Sequence, residues 1–211
     1  MAWNWEQAAA PYWRRPHEEV YRFLPELLDR PGRRALDLGC GIGRHLVYLA
    51  ENGFDVRGCD LSPGGVDECR RVLGPLGLGD RVVLADMRRL PYPDAAFDVV
   101  VAVHVLYHCA REDVSRALAE ARRVLAPGGL LLATFNDRGN SSYGRGREVE
   151  PHTFVRTEGL EAGIPHHYVD RAALLDFLGH FRPLHLSLKR DERLSEGIEP
   201  SAHWWVLAER P

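Results

Sequence analysis

The 211-residue sequence has no apolar run near the roughly 20 residues a helix needs to cross a bilayer, and no secretory leader, so neither membrane nor export is expected. Its four cysteines, Cys40, Cys59, Cys69 and Cys109, form no C-x-x-C pair; reduced thiols in a cytoplasmic protein are the reading that fits. A net charge of -3 with ten histidines supplies no basic field able to neutralise the phosphates of a long duplex, which removes DNA as a partner and leaves only local patches for RNA. Internal repeats and low-complexity segments are absent. Metal-ligand spacing is missing too: His104 and His108 stand four apart, but neither they nor His166 and His167 sit in a helix-borne H-x-x-x-H or a Cys/His pattern, so no metal is expected.

What is present is a hydrophobic fraction of 45%, enough for one domain over residues 1–211. Strand-like and helix-like segments alternate. "RRALDLG" is apolar and ends in glycine, and "GRHLVYLAENG" carries Leu46, Leu49 and Ala50 on one helical face. "FDVRGCD" is a second strand, after which Ser62 and Pro63 form an N-cap and first-turn pair opening a helix to Leu73. "RVVLAD" and "FDVVVAV" follow, the latter apolar throughout as a strand buried on both faces is. A helix marked by Val114, Ala117, Leu118 and Ala121 is halted by "PGG", and "LLLATF" is a fifth strand. Asp170 caps a short helix, and "PLHLSL" and "HWWVLAE" are two closing strands, antiparallel because too few residues separate them for a crossover. Together these predict an α/β, doubly wound and mostly parallel sheet, whose ligands bind at the carboxyl ends of its strands.

At one such end stand Gly39, Gly41 and Gly43, a spacing suited to a tight turn with something packed on the main chain. The dinucleotide fingerprint G-x-G-x-x-G is not met, since from Gly39 its third glycine falls at Arg44. The run Asp37, Leu38, Gly39, Cys40, Gly41, Ile42, Gly43 resembles instead the first motif of the class I S-adenosylmethionine-dependent methyltransferases. The resemblance continues in Asp60 after the second strand, "ADM" with Asp86 and Met87, "LPYPDAAFDVVVAVHVLYH", and "RVLAPGGLLLATF", covering residues 33–135.

The resemblance implies a Rossmann-like, seven-stranded sheet with an antiparallel strand near the C-terminus, S-adenosylmethionine as cofactor and S-adenosylhomocysteine as product. It places Asp37, Gly39, Cys40, Gly41, Gly43, Asp60, Leu61, Asp86, Met87 and His104 at the cofactor, with Asp60 on the ribose, Asp86 and Met87 at the adenine edge, and Asp37 near the methionine amino group. Asp60 lies about 20 residues after Gly39, where nucleotide folds set a ribose-binding carboxylate; a turn-capping role before Ser62 is the alternative. Because the methyl of a sulfonium is already activated, no catalytic signature is obligatory. His104 and His108 are the candidates for a general base, with packing as their other reading.

Two regions flank the shared core. The leader over residues 1–30 carries Trp3, Trp5, Tyr12 and Trp13 ahead of an apolar helix face, with Pro25 expected to kink or restart that helix. Residues 136–167 read as a long inserted segment on the acceptor side, with Gly139, Gly144 and Gly146 letting it open and close and Arg138, Arg145 and Arg147 suited to an anion. Trp13, Tyr107, His108, Arg138, Tyr143 and His166 are the acceptor-side candidates. The reading is a methyltransferase acting on a small molecule; RNA or protein modification, or non-catalytic binding of an adenosine ligand on the same fold, are the alternatives.

Overall fold

The computed structural model describes residues 5, 11–159, 161–191 and 200–211. Its elements in chain order are α1 (Glu18–Leu28), β1 (Arg34–Leu38), α2 (Arg44–Glu51), β2 (Asp55–Asp60), α3 (Pro63–Leu73), β3 (Val82–Leu84), β4 (Phe97–Ala102), α4 (Arg111–Val124), β5 (Leu125–Asp137), β6 (Arg147–Glu150), β7 (Thr153–Val155), β8 (Pro165–Val169), α5 (Arg171–Phe177), β9 (Arg182–Asp191) and β10 (Ser201–Glu209).

Strands β3, β2, β1, β4 and β5 are parallel neighbours in that order. β10 then pairs antiparallel with β5 on one side and β9 on the other, giving the seven-stranded path the sequence predicts. Side-chain alternation divides the core between the two faces of the sheet. From β1, Leu36 and Leu38 pack with Val114 and Ala117 of α4 and Leu174 of α5. Ala35 points the other way, toward Val20 and Phe23 of α1, Leu46 of α2 and Val66 of α3. Asp37 shares the face of Ala35, which buries its carboxyl beneath α2.

Local chemistry sets the boundaries. Ser62 caps α3 by accepting from Gly65 N at 3.3 Å, and Asp170 caps α5 by accepting from Ala173 N at 2.9 Å. Pro25 does not end its helix. It lies on the exposed side of α1, where water can solvate the carbonyl that loses its donor, and the helix runs on to Leu28. "PGG" does not separate α4 from the next strand either: β5 starts at Leu125, and Pro127 to Gly129 form its irregular beginning, with Gly128 at φ +76°.

The larger departure is in residues 136–167. β5 continues through Asn136 and Asp137, which pair in parallel with Tyr168 and Val169 of β8, and β8, β7 and β6 form an antiparallel extension. Part of the segment expected to open and close is held by side-chain hydrogen bonds. Asn140 Oδ1 accepts from Ser142 N at 3.0 Å and Ser142 Oγ at 2.7 Å, and Ser142 Oγ lies 2.8 Å from Tyr168 Oη, with Asn140 and Ser142 buried. Trp3 and the side chain of Tyr12 lie outside the described residues. All four cysteines are free and buried, and no described helix is long and apolar enough to cross a membrane.

Candidate functional site

The turn after β1 is held by main-chain bonds only a left-handed backbone allows. Gly39, Gly41 and Gly43 have φ of +71°, +50° and +87°, and Gly39 N and Cys40 N both donate to Cys59 O, at 2.8 and 3.0 Å. A Cβ on Gly39 would stand 2.3 Å from Val105 Cγ2, so glycine is required there for space as well as for φ. Gly41 N donates to Asp60 Oδ2 and Ser62 N to Asp60 Oδ1, each at 2.8 Å. The turn-capping role of Asp60 is therefore real, yet a carboxylate has about four lone-pair directions, and the turn does not use them all. Burial pushes the Asp60 carboxyl up, against the lowering effect of the N–H groups of Ser62, Gly41 and Leu61.

Asp37 stands beneath this turn, 2% exposed, with Oδ2 making no hydrogen bond. Burial raises its carboxyl to about 7, although Arg44 and the backbone N–H of Leu46 pull it down; Asp60 adds to the rise. An orphaned buried carboxylate oxygen costs free energy until a donor reaches it. Over the turn lies the indole of Trp5: a Cβ on Gly41 would meet Trp5 Cζ2 at 2.2 Å, and one on Gly65 would meet Trp5 Cδ1 at 2.6 Å.

The carboxyl end of β4 supplies the next wall. His104 takes φ +56°, donates its main-chain N–H to Thr134 Oγ1 at 2.7 Å and sets Nδ1 3.0 Å from Tyr107 Oη. Its ring meets those of His17 and His203, centroids 5.5 and 4.5 Å away, and Trp205 stacks on His17 at 4.6 Å. Burial holds the His104 imidazole well below its ordinary value and brings His203 down to about 4. A base titrating near neutrality is thus not what His104 offers. It is a neutral hydrogen-bonding ring whose backbone is fixed by the turn.

Further round, His108 Nε2 lies 3.7 Å from Glu161 Oε1, and His166 Nε2 lies 3.3 Å from Glu161 Oε2. These groups, the glycine turn, Asp60 and the His104 wall bound one cavity of about 590 Å³. Of the acceptor-side candidates, Trp13, Tyr107, His108 and His166 line it. Arg138 and Tyr143 do not: Arg138 Nη1 is bound to Asp170 Oδ2 at 2.7 Å, and Tyr143 Oη is 2.7 Å from His152 Nδ1 with its ring against Tyr168. Leu61 is 46% exposed, and Asp86 closes on the Arg88 guanidinium, which holds its carboxyl below the usual range. Met87 packs against the core, and neither it nor Leu61 nor Asp86 lines the cavity.

Sequence reasoning missed Glu161, Arg156 and, from β10, His203 and Trp205. The alternation in "HWWVLAE" could have put His203 and Trp205 on one face. Nothing local marks Glu161, which reaches the cavity only through the fold of the segment between β7 and β8.

A family model described as "Methyltransferase domain" matches residues 36–133. Among curated proteins, the 27-O-demethylrifamycin SV methyltransferase of Amycolatopsis mediterranei is 33% identical over 86% of this chain and 63% of its own length. The chain spans about half the length of the curated relatives it matches. Among solved structures, a S-adenosylmethionine-dependent methyltransferase from Methanosarcina mazei superposes with a TM-score of 0.74 at 18% identity, covering 93% of this chain and 98% of the other. The 1,6-didemethyltoxoflavin-N1-methyltransferase of Burkholderia thailandensis, solved with 1,6-didemethyltoxoflavin and S-adenosylhomocysteine, gives 0.67 at 22% identity over 92% and 77% of the two chains. With its glycine turn on β1, its carboxylate at the end of β2 and its reversed strand beside β5, the chain carries a methyltransferase-domain match over residues 36–133 on the Rossmann-like fold of the S-adenosylmethionine-dependent methyltransferases.

Proposed function

We propose that this protein transfers a methyl group from S-adenosylmethionine to a small-molecule acceptor held in the 590 Å³ cavity. The observation that carries the reading is the unpartnered Asp37 Oδ2 directly beneath a glycine turn that already fixes Asp60. Such a pair of carboxylates suits a ligand with an ammonium at one end and a diol at the other. The sulfonium of the cofactor supplies an activated methyl. The chain's own residues bind, orient and exclude water. Asp60 keeps lone-pair capacity for the ribose hydroxyls; Asp37 is the ammonium acceptor; Gly39 and Cys40 let the ligand approach the main chain. His104, Tyr107 and His203 form a hydrogen-bonded wall that fixes the acceptor's approach without themselves charging.

A cavity bounded by rings and short polar contacts favours a small acceptor over a polymer strand. Relatives named for a rifamycin SV derivative and a toxoflavin derivative agree with that class. Reduced, buried cysteines agree with a cytoplasmic setting.

The test is a thermal melt with a ligand panel. S-adenosylhomocysteine raises the melting temperature and NAD and NADP do not. A shift with a dinucleotide and none with S-adenosylhomocysteine overturns the reading.

A further inference from the structure

We propose that His108, Glu161 and His166 bind a divalent transition-metal ion on the acceptor side of the cavity, leaving coordination positions open for an oxygen-bearing acceptor. That last clause rests on the methyl-transfer reading; the metal site itself does not. The three residues come from separate places: the turn after β4, the segment between β7 and β8, and β8 itself. One ligand atom from each lies within 4.8 Å of the others.

The arrangement around His166 points to a missing cation. Its Nδ1 is 2.9 Å from Ile164 O, and a carbonyl only accepts, so Nδ1 carries the hydrogen. In the neutral ring Nε2 then presents a lone pair. The residue is 3% exposed and that atom makes no hydrogen bond, facing Glu161 Oε2 at 3.3 Å. Two electron-pair donors held face to face in a buried place repel unless something positive lies between them. A proton could bridge that one pair. His108 Nε2, 3.7 Å from the other carboxylate oxygen, brings a third side chain to the same carboxylate, an arrangement a metal ion can use and a single proton cannot.

The spacing agrees. Ligands on a shell of about 2.1 Å radius stand about 3.0 to 3.4 Å apart in octahedral or tetrahedral geometry. The two Glu161 separations, 3.3 and 3.7 Å, are close to these values, and the set as a whole, within 4.8 Å, would draw in by about an ångström around a bound ion. The backbone carbonyl on His166 Nδ1 is the kind of outer partner that fixes a ligating imidazole's tautomer. Arg156 Nη1 also approaches Glu161 Oε2, at 3.6 Å, beyond hydrogen-bond distance, so it lessens the local negative charge without closing the lone pair. Two imidazoles and one carboxylate suit zinc, ferrous iron or cobalt better than magnesium or calcium, which prefer all-oxygen sets. Three protein ligands leave at least one position open. All three line the cavity, so a hydroxyl or carbonyl oxygen of the acceptor can fill it.

The experiment titrates metal-stripped protein with Zn²⁺ and with Co²⁺ by calorimetry, and reads the visible spectrum of the cobalt form. One ion per chain is expected, with a Kd of about 10 μM or tighter and ligand-field bands of an imidazole-carboxylate site. Glu161→Gln and His166→Gln are each expected to weaken binding about a hundredfold while S-adenosylhomocysteine affinity stays within about threefold. His180→Asn, at an exposed histidine, binds as the parent does. Should a variant fail to fold, the cobalt spectrum of the parent still decides. No binding to the parent at 1:1 stoichiometry, or binding that the two substitutions leave unchanged, overturns the proposal. Failure of S-adenosylhomocysteine to bind while metal binding holds overturns the methyl-transfer reading alone.

Discussion

The cavity's two ends are built from different stretches of chain. At the β1–β2 end, Gly39, Cys40 and Asp60 line the cavity and Asp37, Gly41 and Gly43 support them from the same turn, all within residues 37–60, and much of the polar contact is made by main-chain N–H groups. At the other end, Tyr107, His108, Glu161, His166 and His203 come from the turn after β4, the β6–β8 extension and β10, and side chains make the contacts. A site made of backbone in one short span tolerates little change of sequence and shows as a motif. One assembled from distant side chains can change its chemistry position by position.

The comparison can be broken first at Asp37. Its folded carboxyl titrates near 7, above the ordinary value of 3.8, so the folded state holds a proton that the unfolded state releases. Stability is then fullest below about pH 4 and falls as pH rises through 7, by up to about 4 kcal/mol at roughly 1.4 kcal/mol per pH unit. Asp37→Asn, compared with the parent by denaturant titration between pH 4 and 8, loses that slope. If the slopes match, the carboxyl is not buried alone. Binding of S-adenosylhomocysteine near pH 6 should also release a proton in the parent, seen as a buffer-dependent heat.

Asp60 comes second. Losing a charged acceptor for two hydroxyls costs about 2 to 4 kcal/mol, so Asp60→Ala weakens S-adenosylhomocysteine by roughly thirtyfold to a thousandfold. A change under about threefold in calorimetry would leave the carboxylate as a turn cap only. At the opposite end, Asn140→Ala strands the donors of Ser142 and lowers stability by about 1 to 3 kcal/mol, or roughly 2 to 4 °C per kcal/mol. Cofactor affinity should not follow; if it does, the ends are coupled and the contrast fails. The smallest effect is at Trp5, where replacement by Ala removes a ring from Gly41 and weakens S-adenosylhomocysteine about fivefold, near 1 kcal/mol. Tighter binding instead would mean the indole competes for the turn rather than covering it.

Legibility in the sequence follows the same division. The caps at Ser62 and Asp170 and the apolar run of β4 are local signals, and each lies where the pattern puts it. β6 and β7 were not readable, being 4 and 3 residues long with charged, exposed "REVE" in place of an alternating face. Arg138 and Tyr143 looked free for an acceptor because their partners, Asp170 and His152, are brought to them only by the fold. Asp86 had a nearer competitor, Arg88, two residues on. Glu161 carries no signal until β8 closes beside β5.

β10 sits between β5 and β9, yet every other strand of the sheet precedes it in the chain. During synthesis, β1 to β4 can pair and cover both faces with α1 to α4 while the place beside β5 stays open. That half can acquire its nucleotide-shaped turn early. His203 and Trp205 arrive only when β10 slides in, pairing Trp205 with Thr134 and His203 with Asn136 across some seventy residues of chain. Such distant pairings are slow to form. The order of assembly therefore lets the β1–β2 turn and Asp60 stand in place before His203 and Trp205 complete the other end of the cavity, which separates the making of the two ends in time.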